Sequence, residues 1–62
     1  MQTYRIYWLD THGRIRRGEW IEAKDDDHAR RLAEDLCNEF TPIIELWQGT
    51  RPVGEIDCHA DQ

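Results

Sequence analysis

In the segment YRIYWLDTHGRIRRGEWIEA, Tyr4 to Ala23, two runs rich in β-branched and aromatic residues flank an Asp and a Gly at the spacing of a tight turn. Gly13 stands where a three-residue loop, a type I turn closed by a bulge, needs a left-handed residue. That loop pairs Asp10 with Arg14. Carried back along the ladder, it sets Leu9 opposite Ile15, Trp8 opposite Arg16, Tyr7 opposite Arg17, Ile6 opposite Gly18, Arg5 opposite Glu19 and Tyr4 opposite Trp20. Directly opposed residues share a face, and these include an aromatic pair and an opposite-charge pair. One face then holds Tyr4, Ile6, Trp8, Gly18 and Trp20, and is expected to form the core. The other holds Arg5, Tyr7, Leu9, Ile15, Arg17, Glu19 and Ile21. Both faces carry bulky apolar residues, so the second also requires a cover.

The next segment, DDDHARRLAEDLCNEF, places Ala29, Leu32, Ala33, Leu36, Cys37 and Phe40 on one helical stripe. Asp25 or Asp26 is suited to capping its first turn. Asp26 with Arg30 and Asp27 with Arg31 are expected to pair across one turn. The Thr41-Pro42 step is expected to end the helix, since a residue before proline is driven out of the α region. After it, IIELWQ and PVGEI flank a turn at Gly49 and predict a second hairpin, with Ile44, Leu46 and Val53 on one side and Ile43, Trp47 and Ile56 on the other. The predicted fold is α+β: a single β-β-α-β-β domain over residues 1–57, with a flexible tail at 58–62. One helix packs on one face of a four-stranded antiparallel sheet of order 2-1-3-4.

A 62-residue chain holds one small core, and domains of this size usually depend on a crosslink, a metal or a second subunit. Cys37 and Cys58 are too few and too far apart for a disulfide framework or a CxxC motif, so both are expected to be free thiols in a reducing compartment. No signal peptide or membrane span is evident, and the expected address is the cytoplasm. The net charge of −5 disfavours a general affinity for nucleic acid or anionic membranes.

His12, His28, Cys37, Cys58 and His59 lack the short paired spacings of a zinc site, so no metal or other cofactor is expected. The three consecutive aspartates read as a helix cap rather than a calcium loop, whose acids alternate. Serine is absent, no nucleophile stands with a base, and so small a core leaves little room for a pocket of ~300 Å³. An enzyme is therefore not expected. The basic run Arg14, Arg16 and Arg17, with Tyr7 nearby, contains the ingredients of a nucleic-acid-binding regulator, which is the alternative reading. Against it, Arg16 and Arg17 point to opposite faces in the ladder above.

The motifs YRIYWLD, GRI, EWIEA, DD and ELWQGTR together resemble a group of short, uncharacterised bacterial proteins with a β-β-α-β-β pattern. The resemblance spans residues 3 to 56. Its motifs are structural and imply no activity. The expected function is a non-enzymatic protein-binding or regulatory module, homodimeric through the open sheet face or an edge strand. The interface residues expected for a partner or a second copy are Tyr7, Leu9, Ile15, Ile21 and Trp47.

Overall fold

The computed structural model describes residues 1–58 and shows the β-β-α-β-β order: β1 Gln2–Leu9, β2 Ile15–Ala23, α1 Asp26–Glu34, β3 Ile43–Gln48 and β4 Arg51–Asp57. The strands form one antiparallel sheet ordered β2-β1-β3-β4, with the helix on one face. Tyr4, Ile6 and Trp8 of β1 and Ile44 and Leu46 of β3 meet Ala29 and Ala33 of α1 in the core. The central strands supply the large side chains and the helix supplies two alanines, which brings its axis close to the sheet.

The first turn forms as its residues dictate. The Gly13 amide donates to the Asp10 carbonyl and the Asp10 amide to the Arg14 carbonyl, with Gly13 at φ +78°. The Asp10 carboxylate accepts from the amides of Arg14 and His12. These bonds, that from Arg14 foremost, hold its pKa below the ordinary carboxylate value.

Beyond the turn the register departs from the simple ladder. Leu9 does face Ile15, but a bulge then inserts Arg16, so that Trp8 faces Arg17, Tyr7 faces Gly18, Ile6 faces Glu19, Arg5 faces Trp20 and Tyr4 faces Ile21. A bulge adds one residue to one strand, and with a side-chain period of two it exchanges the faces of everything that follows. Ile21 therefore joins the helix-side face and packs on the core, while Trp20 moves to the open face, where it is 62% exposed. Both placements reverse the expectation.

The second hairpin carries a bulge between its Leu46–Gly54 and Trp47–Pro52 pairs. Ile56 faces Ile44 and packs on the core, rather than lying with Ile43 and Trp47 as expected. Val53, the inserted residue, also packs against the core.

The helix is shorter than its stripe. Asp25 caps it, accepting from the His28 amide at 2.8 Å, while His28 Nδ1 accepts from the Lys24 amide. At the other end, Leu36 and Cys37 tighten onto the carbonyls of Ala33 and Glu34. Trp8 Nε1 donates to the Leu36 carbonyl at 3.0 Å, and that is the acceptor that Phe40 would use in a continuing helix. The Phe40 amide turns instead to Asn38 Oδ1, which also accepts from the Thr41 amide and hydroxyl. Leu36 and Phe40 are left 41% and 79% exposed.

Cys37 and Cys58 are joined in a disulfide with a Cα–Cα distance of 5.5 Å, which replaces the expected pair of free thiols. They are far apart in sequence, but the helix end and the end of β4 converge, and the Cys58 amide donates to the Pro42 carbonyl at 2.7 Å. Cys58, expected in the flexible tail, is thereby tied to the helix end and to the start of β3. Residues 59–62, including His59, lie outside the described residues.

Candidate functional site: the open sheet face and its β2 edge

Alternation along the strands sends Arg5, Tyr7 and Leu9 of β1, Ile15, Gly18 and Trp20 of β2, and Ile43, Glu45 and Trp47 of β3 to the face opposite the helix. Tyr7 lies over Gly18. A Cβ placed on that glycine would come within 3.3 Å of two Tyr7 ring carbons, so the missing side chain seats the ring on the sheet. Arg5 stacks between two rings, with its guanidinium carbon 4.5 Å from the centre of Trp20 and 5.3 Å from that of Tyr7. Its Nε is buried and has no hydrogen-bond partner among the described residues. Trp47 Nε1 donates to Glu45 Oε1 at 3.2 Å, which fixes the indole beside a carboxylate.

Tyr7, Ile15, Glu45, Trp47, Gly49 and Thr50 line an open groove of about 350 Å³ on this face. Its volume exceeds the room expected from so small a core, but it is a surface trough and not an enclosed cavity. Of the five residues expected at an interface, Tyr7, Ile15 and Trp47 thus come together around one groove. Leu9 lies on the same face but is 7% exposed, enclosed between Ile15 and Ile43. Ile21 is on the helix side. The aromatic that was not expected on this face is Trp20, which the bulge at Arg16 brings opposite Arg5 and which no local feature of the sequence announces.

The three arginines of the basic run do not converge. Arg17 lies on the helix side, 5.2 Å over the Trp8 ring and 3.8 Å from Glu19. Arg16 occupies the bulge, with Nη1 3.9 Å from Asp10. Arg14 sits at the turn, before β2 begins. Two of the three already neighbour carboxylates, which weakens the field they could offer a phosphate backbone.

On the helix side, a second cleft of about 240 Å³ opens where the short helix leaves β2 uncovered, lined by Trp8, Arg17, Glu19, Ile21, Leu36 and Asn38, and by Trp20 at the sheet edge. Elsewhere, Tyr4 donates to Asp26 Oδ1 at 2.8 Å, and Arg51 grips both oxygens of that carboxylate at 3.0 and 3.2 Å. Arg51, and not Arg30, is thus the partner of Asp26. The Arg51 bond, and after it that from Tyr4, holds the Asp26 pKa below its ordinary value, while burial pushes the Tyr4 hydroxyl up. Among the described residues no group of three His, Cys, Asp or Glu side chains is placed to hold a metal ion, and no helix is long and apolar enough to cross a membrane.

The chain matches no protein-family model, no curated protein and no solved structure.

Proposed function

We propose that this chain is a protein-binding module that acts by surface contact rather than catalysis, and that it self-associates. It also belongs, on this reading, with the short bacterial β-β-α-β-β chains that its motifs resemble. The observation that carries the proposal is the open face: Tyr7, Trp20 and Trp47 lie on a sheet surface with no described segment over it, and side chains of this kind dominate protein interfaces. The groove between Tyr7 and Trp47 supplies relief into which a partner's side chain fits. The proposed address is the cytoplasm, where the Cys37–Cys58 bond would be a transient, redox-responsive one.

The test is the molar mass in solution by light scattering across a concentration series, with a Tyr7→Glu/Trp47→Glu variant alongside. A mass of two chains that both charges reduce to one assigns self-association to the face. A mass of two chains that survives them leaves the face to a different protein and an edge strand to the second copy. A mass of one chain at every concentration overturns self-association.

A further inference from the structure

The two edges of the sheet are not alike. On β4, Pro52 and the bulge at Val53 interrupt the outer edge, and Arg30 Nη2 donates to the Val53 carbonyl at 3.1 Å. These are devices that stop a strand from pairing further. On the other edge β2 is the longest strand among the described residues, nine residues without proline, and of these strands β1 alone pairs with it in the sheet. From Ile15 to Trp20 every residue is exposed.

Charges on an edge ordinarily keep copies apart. Those of β2 favour one register over its neighbours. When two antiparallel copies of a strand pair about a two-fold axis normal to the sheet, each residue keeps its face, so the axis must pass between two copies of the same residue. An axis at Glu19 or Glu22 opposes two carboxylates, and one at Arg17 opposes two guanidinium groups. An axis at Trp20 or Ile21 brings no two charges of the strand opposite each other. An axis at Gly18 places Arg17 of each copy opposite Glu19 of the other, two complementary pairs on the helix-side face, with glycine against glycine between them. The same register brings each exposed Trp20 beside the other copy's Arg16 bulge. Arg17 and Glu19 contact each other along the strand at 3.8 Å, and with side chains 68% and 49% exposed they can exchange that contact for these pairs.

We infer that β2 pairs with β2 of a second copy about Gly18, extending two four-stranded sheets into one of eight. The inference rests on the self-association proposed above and names its surface. It also leaves the groove between Tyr7 and Trp47 open in the dimer, so that the second copy and a different protein occupy separate sites.

Single charge reversals separate this pairing from every other cause. In Arg17→Glu the homodimer opposes four carboxylates, and in Glu19→Arg it opposes four guanidinium groups. Mixed in equal amounts, the two variants oppose only unlike charges. The expected result is a wild type with the mass of two chains, each variant with the mass of one at the same concentration, and a two-chain mass restored in the mixture. Loss of the intrastrand Arg17–Glu19 contact, or of the fold, cannot be repaired by mixing, and circular dichroism checks the fold directly. A wild-type dimer indifferent to both reversals, or variants that stay apart on mixing, overturns the β2 pairing while self-association stands. A wild type of one-chain mass at every concentration overturns both.

Discussion

Gly54 is filled by a neighbour rather than by a side chain of its own. A Cβ built there would lie 2.7 Å from Arg30 Nη2, because the guanidinium crosses the strand at that point to reach the Val53 carbonyl. Gly54→Ala is expected to displace the arginine and forfeit that bond, a loss of about 0.5–1.5 kcal/mol. In an Arg30→Ala background the same change is expected to cost nothing, and the two together form a double-mutant cycle read by urea unfolding. Asp26 makes a different kind of contribution. Its folded pKa is depressed, chiefly by the bidentate Arg51, so the charged form stabilises the fold at neutral pH. That stabilisation is complete above the unfolded value of about 3.9 and is lost as pH falls through the folded value. Asp26→Asn is expected to lower Tm at pH 7. The difference from wild type should shrink below about pH 4 and vanish in stronger acid, and thermal melts over pH 2–7 measure it.

At the scale of elements, the strands, the helix start and the first turn could be read directly, because alternation, the aspartate cap and Gly13 are local signals, and the order followed from placing the most apolar, proline-free strand, β1, centrally. What could not be read was non-local. Arg16 and Val53 look like ordinary strand residues, and nothing around them announces a bulge, yet each insertion exchanges a face; hence the reversal of Ile21 with Trp20 and of Ile56. The helix end failed for a similar reason. The apolar stripe continues to Phe40, but Trp8, distant in sequence, takes the Leu36 carbonyl, and Asn38 collects the amides that follow. The disulfide depends on that early stop, since only then does Cys37 meet the end of β4. It closes a loop across a sequence separation of 21 residues, worth about 3 kcal/mol in the chain-entropy account. Cys37→Ser with Cys58→Ser is expected to destabilise the domain by about that amount in urea melts. Reductant should lower the wild type to the variant's level and leave the variant unchanged.

For the whole molecule, the candidate site was legible in kind but not in membership. That both faces of the hairpins are apolar was evident from the sequence, and Tyr7, Ile15 and Trp47 do meet around one groove, whereas Trp20 reached the open face only through the bulge. A 62-residue chain has a small core, so association should add visibly to its stability. If β2 joins two copies, Tm rises with protein concentration in the wild type. In Arg17→Glu it should not, a difference that calorimetry at two concentrations a hundredfold apart detects.

The three tryptophans stand in three different surroundings. Trp8 is 5% exposed in the core, Trp47 is half-buried beside the groove, and Trp20 is 62% exposed at the edge. With two of the three replaced by phenylalanine in turn, the remaining indole becomes a fluorophore reporting on a single region. Emission from Trp8 would follow unfolding, acrylamide quenching of Trp20 would follow the meeting of two edges, and Trp47 would register a visitor to the groove, so that one spectrometer could watch all three events separately.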